Sequence, residues 1–143
     1  MNRDALHAGL VAAVVSGAPS TLVAIARGDD VLEGARAAGT LVLPRERRTL
    51  PLLAAAVPVH LALSLGWAAA LARVLPRGGE PLGGLLGGLA IAALDLGVVG
   101  RRLPRIRTLP QGRQWADHAA YGLAVGAVLA RRRRVHSPAT CPS

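Results

Sequence analysis

Four long apolar runs divide the chain, separated by polar or arginine-rich segments. Residues 5–26 and 49–72 contain no acid and no arginine. Residues 81–100 are interrupted only by Asp95, and residues 114–130 carry Asp117 and His118 near their start. About 20 helical residues cross a hydrocarbon layer roughly 30 Å thick. The first three runs meet that length. The fourth is shorter, and Arg131 can extend it by reaching toward the headgroups. The pattern predicts transmembrane helices over about 5–26, 49–73, 81–100 and 114–131. Arg3 and the "AIA" at 24–26 would also suit a cleaved leader. The length of the run and the Pro19-Ser20-Thr21 inside it favour a retained span.

Between the first two runs, Val31, Leu32, Ala35, Ala38 and Val42 recur at helical spacing, with Asp30, Glu33 and Arg36 on the other side. This predicts a short amphipathic helix over about 30–43, started by Asp29 or Asp30 and ended by Pro44. It lies on the membrane surface or packs on the end of the bundle. The arginine- and proline-rich linker 101–114 is expected to be an exposed, extended loop, and 135–143 a disordered tail. The expected fold is therefore all-α: one bundle of four transmembrane helices over 1–134, with an amphipathic helix between the first and second.

Composition sharpens the membrane reading. Over half the residues are hydrophobic, yet Phe is absent and Ala, Leu, Val and Gly supply the apolar mass. All 17 basic residues are arginines, mostly between the runs. A net charge of +9 could suit nucleic acid. No recognition module is present and aromatics for stacking are scarce, so no nucleic-acid partner is expected. The arginine clusters instead suit anionic lipid headgroups. Four spans place Arg3, Arg73, Arg77 and 131–134 on one side, and the other ten arginines on the opposite side, here called the loop side. Charge counting favours termini outside, while the tight 131–134 cluster argues the reverse. The single cysteine, Cys141, has no partner for an intramolecular disulfide and is not placed for prenylation.

Small residues recur every four positions: Gly9, Ala13 and Gly17; Gly83 and Gly87; Gly84 and Gly88; Gly122 and Gly126. Such spacing makes a groove where another helix backbone can approach. The partner helix belongs to the same chain or to a second copy, which would make a homo-oligomer. The second and fourth runs also align with each other, His60 on His118 and Leu71-Ala72-Arg73 on Leu129-Ala130-Arg131. The first and third align through Gly9-Leu10 and Gly84-Leu85. A two-helix unit duplicated in one orientation would account for both alignments.

Charged groups inside the bilayer are costly and face protein or water. Ser20, Thr21, His60, Asp95, Asp117, His118 and Tyr121 all fall in the loop-side half of the predicted spans. They form a candidate polar site, with Asp95 as the titratable acid and the histidines as partners. The competing reading is that each bonds a neighbouring helix and fixes packing. Asp117, at the start of the fourth run, is expected to cap its own helix. Pro19 and Pro58 are expected to kink their helices. Depth along the helices separates His60 from His118 by about 9 Å, which does not suit a shared heme. No metal-ligand spacing and no phosphate loop occur, and "LGGLLGG" at 82–88 lacks the following Lys-Ser/Thr. No cofactor and no enzymatic activity are expected.

The segments "HAGLVAAVVSGAPST", "ARAAGTLVLP", "PVHLALSLGWAAALA", "LDLGVVGRR" and "WADHAAYGLAVGAVL" resemble small integral membrane proteins of GC-rich bacteria. That group carries no assigned activity, so the resemblance implies residence in the bacterial cytoplasmic membrane and nothing about chemistry. The functional expectation is a structural or accessory role through small-residue helix packing. The alternative is a small oligomeric transporter or channel using Asp95 and the histidines.

Overall fold

The computed structural model describes residues 2–135. The expected tail from 136 onward, with Cys141, lies outside the described residues. Within them the regular structure is entirely helical. The elements are α1 (Arg3–Val15), α2 (Ala18–Arg27), α3 (Glu33–Gly39), α4 (Thr49–Val74), α5 (Glu80–Leu94), α6 (Pro104–Arg107) and α7 (Gln111–Val135). A π-helical turn, Asp95–Val99, and a 3-10 turn, Gly100–Arg102, continue α5. Three stretches, Arg3–Arg27, Thr49–Val74 and Glu80–Arg102, are long and apolar enough to cross a membrane.

The first run is broken at its middle. Pro19 lacks an N–H and sits in the first turn of a new helix, where that loss costs nothing, so α1 ends and α2 begins around Gly17. Pro58 acts differently: α4 passes through it without interruption. α2 closes on Gly28, whose φ of 70° lies in the left-handed region that glycine adopts without a side-chain clash.

Two expectations for the connections need correcting. The helix between the first two runs spans only Glu33–Gly39, and its buried face is Ala37, Gly39 and Thr40. Gly39 lies against the backbone of Leu52, so α3 is held on the first turns of α4. Of the residues expected on its apolar face, Val31, Leu32 and Val42 are exposed and Ala35 and Ala38 are half-buried. The 101–114 linker is also not extended: a 3-10 turn and α6 occupy it, and Leu109 is buried.

Ahead of α4, the Glu46 carboxylate accepts the N–H groups of Arg47 and Arg48 at 2.8 and 2.9 Å and pairs with the Arg48 guanidinium at 3.0 Å. The Arg48 side-chain hydrogen bond first, and then the two backbone donors, hold the Glu46 carboxyl down at about 2. An acid here also suits the positive end of α4.

α7 is the centre of the bundle. It packs on α5, α1 and α2 and touches α4. The core is thin and built mostly of Ala, Gly and Leu, with Leu52, Leu129 and Val125 its largest fully buried side chains. Many large apolar side chains point outward, among them Val14, Leu22, Val57 and Leu82.

The closest seam runs between α5 and α7. Added Cβ atoms on Gly84 and Gly88 would stand 2.3 and 2.2 Å from the carbonyl oxygens of Gly122 and His118. Added Cβ atoms on Gly122 and Gly126 would stand 2.0 and 2.1 Å from those of Gly84 and Glu80. Each helix therefore presents bare backbone to the other. Gly83 and Gly87 serve a different neighbour, receiving the side chains of Leu75 and Leu71 from α4. Gly9 faces Leu65 and Ala68 on α4, and Gly17 has open space around it.

These contacts repeat one register. Gly9 against Ala68 matches Gly84 against Gly126 under the two sequence alignments given above. His60 bonds the Ala13 carbonyl, and the matching residues, His118 and Gly88, also meet backbone to backbone. Leu71 seats on Gly87, while its counterpart Leu129 shares the core with Ala12, the counterpart of Gly87. The α1–α4 and α5–α7 hairpins thus share one contact register.

Candidate functional site

The polar residues at the loop-side end form two separate contacts on either side of α7. In the first, the Asp117 carboxylate accepts the Ser20 N–H at 2.9 Å. Ser20 is the third residue of α2, whose N-cap position is Gly17 and offers no side-chain acceptor. Helix starts leave such donors unpaired. Asp117 therefore caps α2 from across the bundle. It does not cap its own helix as expected, because α7 begins earlier, at Gln111. Thr21 lies one residue on and closes its N–H onto the Gly17 carbonyl. The Arg113–Asp29 ion pair joins the two helices again, at the start of α7 and just past the end of α2.

The second contact joins α7 to α5. His118 Nε2 lies 3.5 Å from Asp95 Oδ2, and both side chains are partly exposed. Asp95 opens the π-helical turn, and its carbonyl accepts from the N–H of Gly100, five residues on. Single π turns inside helices are rare and are found disproportionately at working sites.

The hydrogen bond on the other ring nitrogen defines the chemistry of this pair. His118 Nδ1 lies 2.8 Å from the Gln114 carbonyl. A carbonyl only accepts, so Nδ1 carries a hydrogen. Nε2 is thus the ring atom turned toward the Asp95 carboxylate.

His60 and Tyr121 belong elsewhere. His60 Nε2 donates to the Ala13 carbonyl at 2.8 Å and ties α4 to α1. Tyr121 is buried and donates to the Ser64 carbonyl of α4 at 2.5 Å. The structure thus pairs Asp95 with His118 and Ser20 with Asp117, and it places His60, Thr21 and Tyr121 outside both pairs. Among the described residues, no three of His, Cys, Asp and Glu converge as metal ligands would.

At the opposite end stands a cluster that the sequence did not single out. Glu80, buried at the start of α5, pairs with Arg133 at 3.1 Å and accepts the Gly78 N–H at 2.8 Å. Arg133 also donates to the Ala72 and Leu75 carbonyls at 2.8 and 2.9 Å, closing the last turn of α4. Beside it Arg132 pairs with Asp4 of α1 at 2.5 Å. One turn of α7 therefore holds the ends of the other three long helices. An acid opening an apolar run was a usable signal for Glu80. Four consecutive arginines hid which one answers it. No family model, no curated protein and no solved structure matches this chain.

Proposed function

We propose that the chain is a four-span protein of the bacterial cytoplasmic membrane, with a structural or accessory role exercised through glycine-mediated helix packing. The observation that carries this reading is the α5–α7 seam, where Gly84, Gly88, Gly122 and Gly126 put the two backbones in contact. Lipid offers little hydrophobic drive for helices to associate, and close backbone packing is what replaces it. The outward Val14, Leu22, Val57 and Leu82 fit the same solvent.

α7 is less apolar than the other three long helical stretches, and its position explains how it can still span. At 25 residues it is roughly 37 Å long. Its polar side chains are turned to partners: Asp117 to Ser20, His118 to Asp95, Tyr121 to Ser64. A helix surrounded by protein needs less apolar surface than one surrounded by lipid. Four spans put both termini on one side. Labels at the two ends, tested in intact and in permeabilised spheroplasts, are expected to become accessible together. Opposite accessibility refutes the fourth span.

A second reading, proton-sensitive transport or gating, is favoured by one observation: the approach of Asp95 and His118 beside a π-helical turn. Asp95→Asn removes the carboxylate and keeps a polar neighbour for His118. In proteoliposomes, a pH-dependent flux carried by the wild type is expected to lose its pH dependence in Asp95→Asn. An identical pH profile in the variant removes this reading.

A further inference from the structure

The termini-side end carries a basic groove that neither the glycine packing nor the Asp95–His118 pair uses. Its volume is about 320 Å3, and Arg77, Gly78, Glu80, Pro81, Arg133 and Arg134 line it. Glu80 is neutralised by Arg133, so its charge is spent within the wall. Arg77 and Arg134 are exposed and have no carboxylate partner among the described residues. Arg134 uses its Nε on the Ala130 carbonyl at 3.3 Å, which leaves the outer face of its guanidinium available. Arg77 stands in the α4–α5 turn, before Gly78, whose φ of 88° bends the chain there. The two arginines come from distant parts of the sequence and line one groove only in the folded bundle.

We infer that this groove binds the phosphate of an anionic phospholipid, held between Arg77 and Arg134. Guanidinium groups match phosphate oxygens in a planar, two-point fashion. The groove also sits at the right level. The exposed apolar side chains of Val74 and Leu82 lie three residues before Arg77 and two after Glu80, on the helices that rise to it. An acyl chain can lie along them while the headgroup reaches the arginines. Free phosphate shares the headgroup chemistry but has nothing to place on that apolar flank.

The inference rests on the membrane reading proposed above, and the test separates the two. Alkaline carbonate extraction reports residence: release into the soluble fraction overturns the membrane reading and this inference with it. For the full chain purified in neutral detergent, native mass spectrometry then reads retained lipid from an equimolar mixture of phosphatidylglycerol and phosphatidylcholine. The wild type is expected to prefer phosphatidylglycerol. Arg77→Gln and Arg134→Gln are each expected to reduce the preference by about five-fold, and the double variant by more, as for arginines acting at a charged interface. Arg45→Gln/Arg47→Gln, at the loop side, serves as the control and should leave it unchanged. Arg77→Gln removes no hydrogen bond from the fold, so it remains informative if the double variant is unstable. Equal preference in Arg77→Gln and wild type overturns the assignment. So does full displacement of phosphatidylglycerol by millimolar inorganic phosphate, which would make the groove a free-phosphate site.

Discussion

Gly122→Ala, the addition of one methyl group, is expected to cost about 3 kcal/mol, at the upper end of what overpacking typically costs. The new Cβ would stand 2.0 Å from the Gly84 oxygen and 2.7 Å from the Gly88 nitrogen. Both are backbone atoms, so no rotamer change relieves the clash. Relief requires α5 and α7 to separate, which opens the seam at Gly84, Gly88 and Gly126 as well. The other glycines supply a ranking. Gly9→Ala meets Leu65 Cδ2 at 3.0 Å, the Ala68 Cβ at 3.1 Å and the Leu65 Cα at 3.2 Å, so a shift of a few tenths of an ångström relieves it. Gly66, in the middle of α4, has open space around it. There alanine should stabilise by roughly 0.5–1 kcal/mol, because it lowers the entropy lost on forming helix. Unfolding in mixed micelles with rising sodium dodecyl sulfate would measure the series. The expected order of stability is Gly66→Ala, then Gly9→Ala, then Gly122→Ala. Equal stability of the first and last would sink the packing argument.

Arg133→Ala is expected to be nearly as damaging, for an electrostatic reason. The substitution leaves the Glu80 carboxylate buried with backbone N–H donors and no countercharge from Arg133, and it strips the Ala72 and Leu75 carbonyls of their Arg133 donor. Removing one partner of a buried ion pair costs about 3–5 kcal/mol, most of it from the charge left behind. Glu80→Gln should cost less, because Arg133 keeps its two carbonyls and an amide oxygen can still accept. The double variant Arg133→Met/Glu80→Met should recover part of the loss, since no uncompensated charge remains. A double-mutant cycle built from Arg133→Met, Glu80→Met and the double variant, in the same micelle assay, gives the coupling. A full loss in the double variant, equal to the sum of the singles, would show that the pair has no energetic interdependence.

The long helices were legible in the sequence because their signal is summed over 20 or so residues. The glycine spacing was legible because small residues every four positions leave a groove for another helix, as at Gly84/Gly88 and Gly122/Gly126, although Gly17 and Gly66 meet open space. Structure distinguished the roles: Gly84/Gly88 and Gly83/Gly87 differ by one position, and they face α7 and the Leu71 and Leu75 side chains respectively. Local chemistry was less readable. Asp117 sits near the start of an apolar run and so looked like a cap for that run. Its true partner, Ser20, is 97 residues away and became needy only because Pro19 and Gly17 broke the first helix. The contact that seats α3 on α4, Gly39 against the Leu52 backbone, likewise leaves no trace in a hydrophobic pattern. His60 and His118 look equivalent in sequence and occupy equivalent positions. They separate chemically because Asp95, which meets His118, has Ser20 as its counterpart in the first hairpin.

The two hairpins, alike in register, are unlike in mechanics. In the second, carbonyls and α-carbons touch along four glycines, and there is no slack for either helix to slide. In the first, a leucine and an alanine side chain fill the gap opposite Gly9, and α1 gives way to α2 at the level of Gly17. One half of the bundle is a stiff strut and the other carries the joint. Bending of the bundle would therefore concentrate at the Gly17 break. Asp117, spanning from the strut to the first turn of α2, is the tether that such bending would load first.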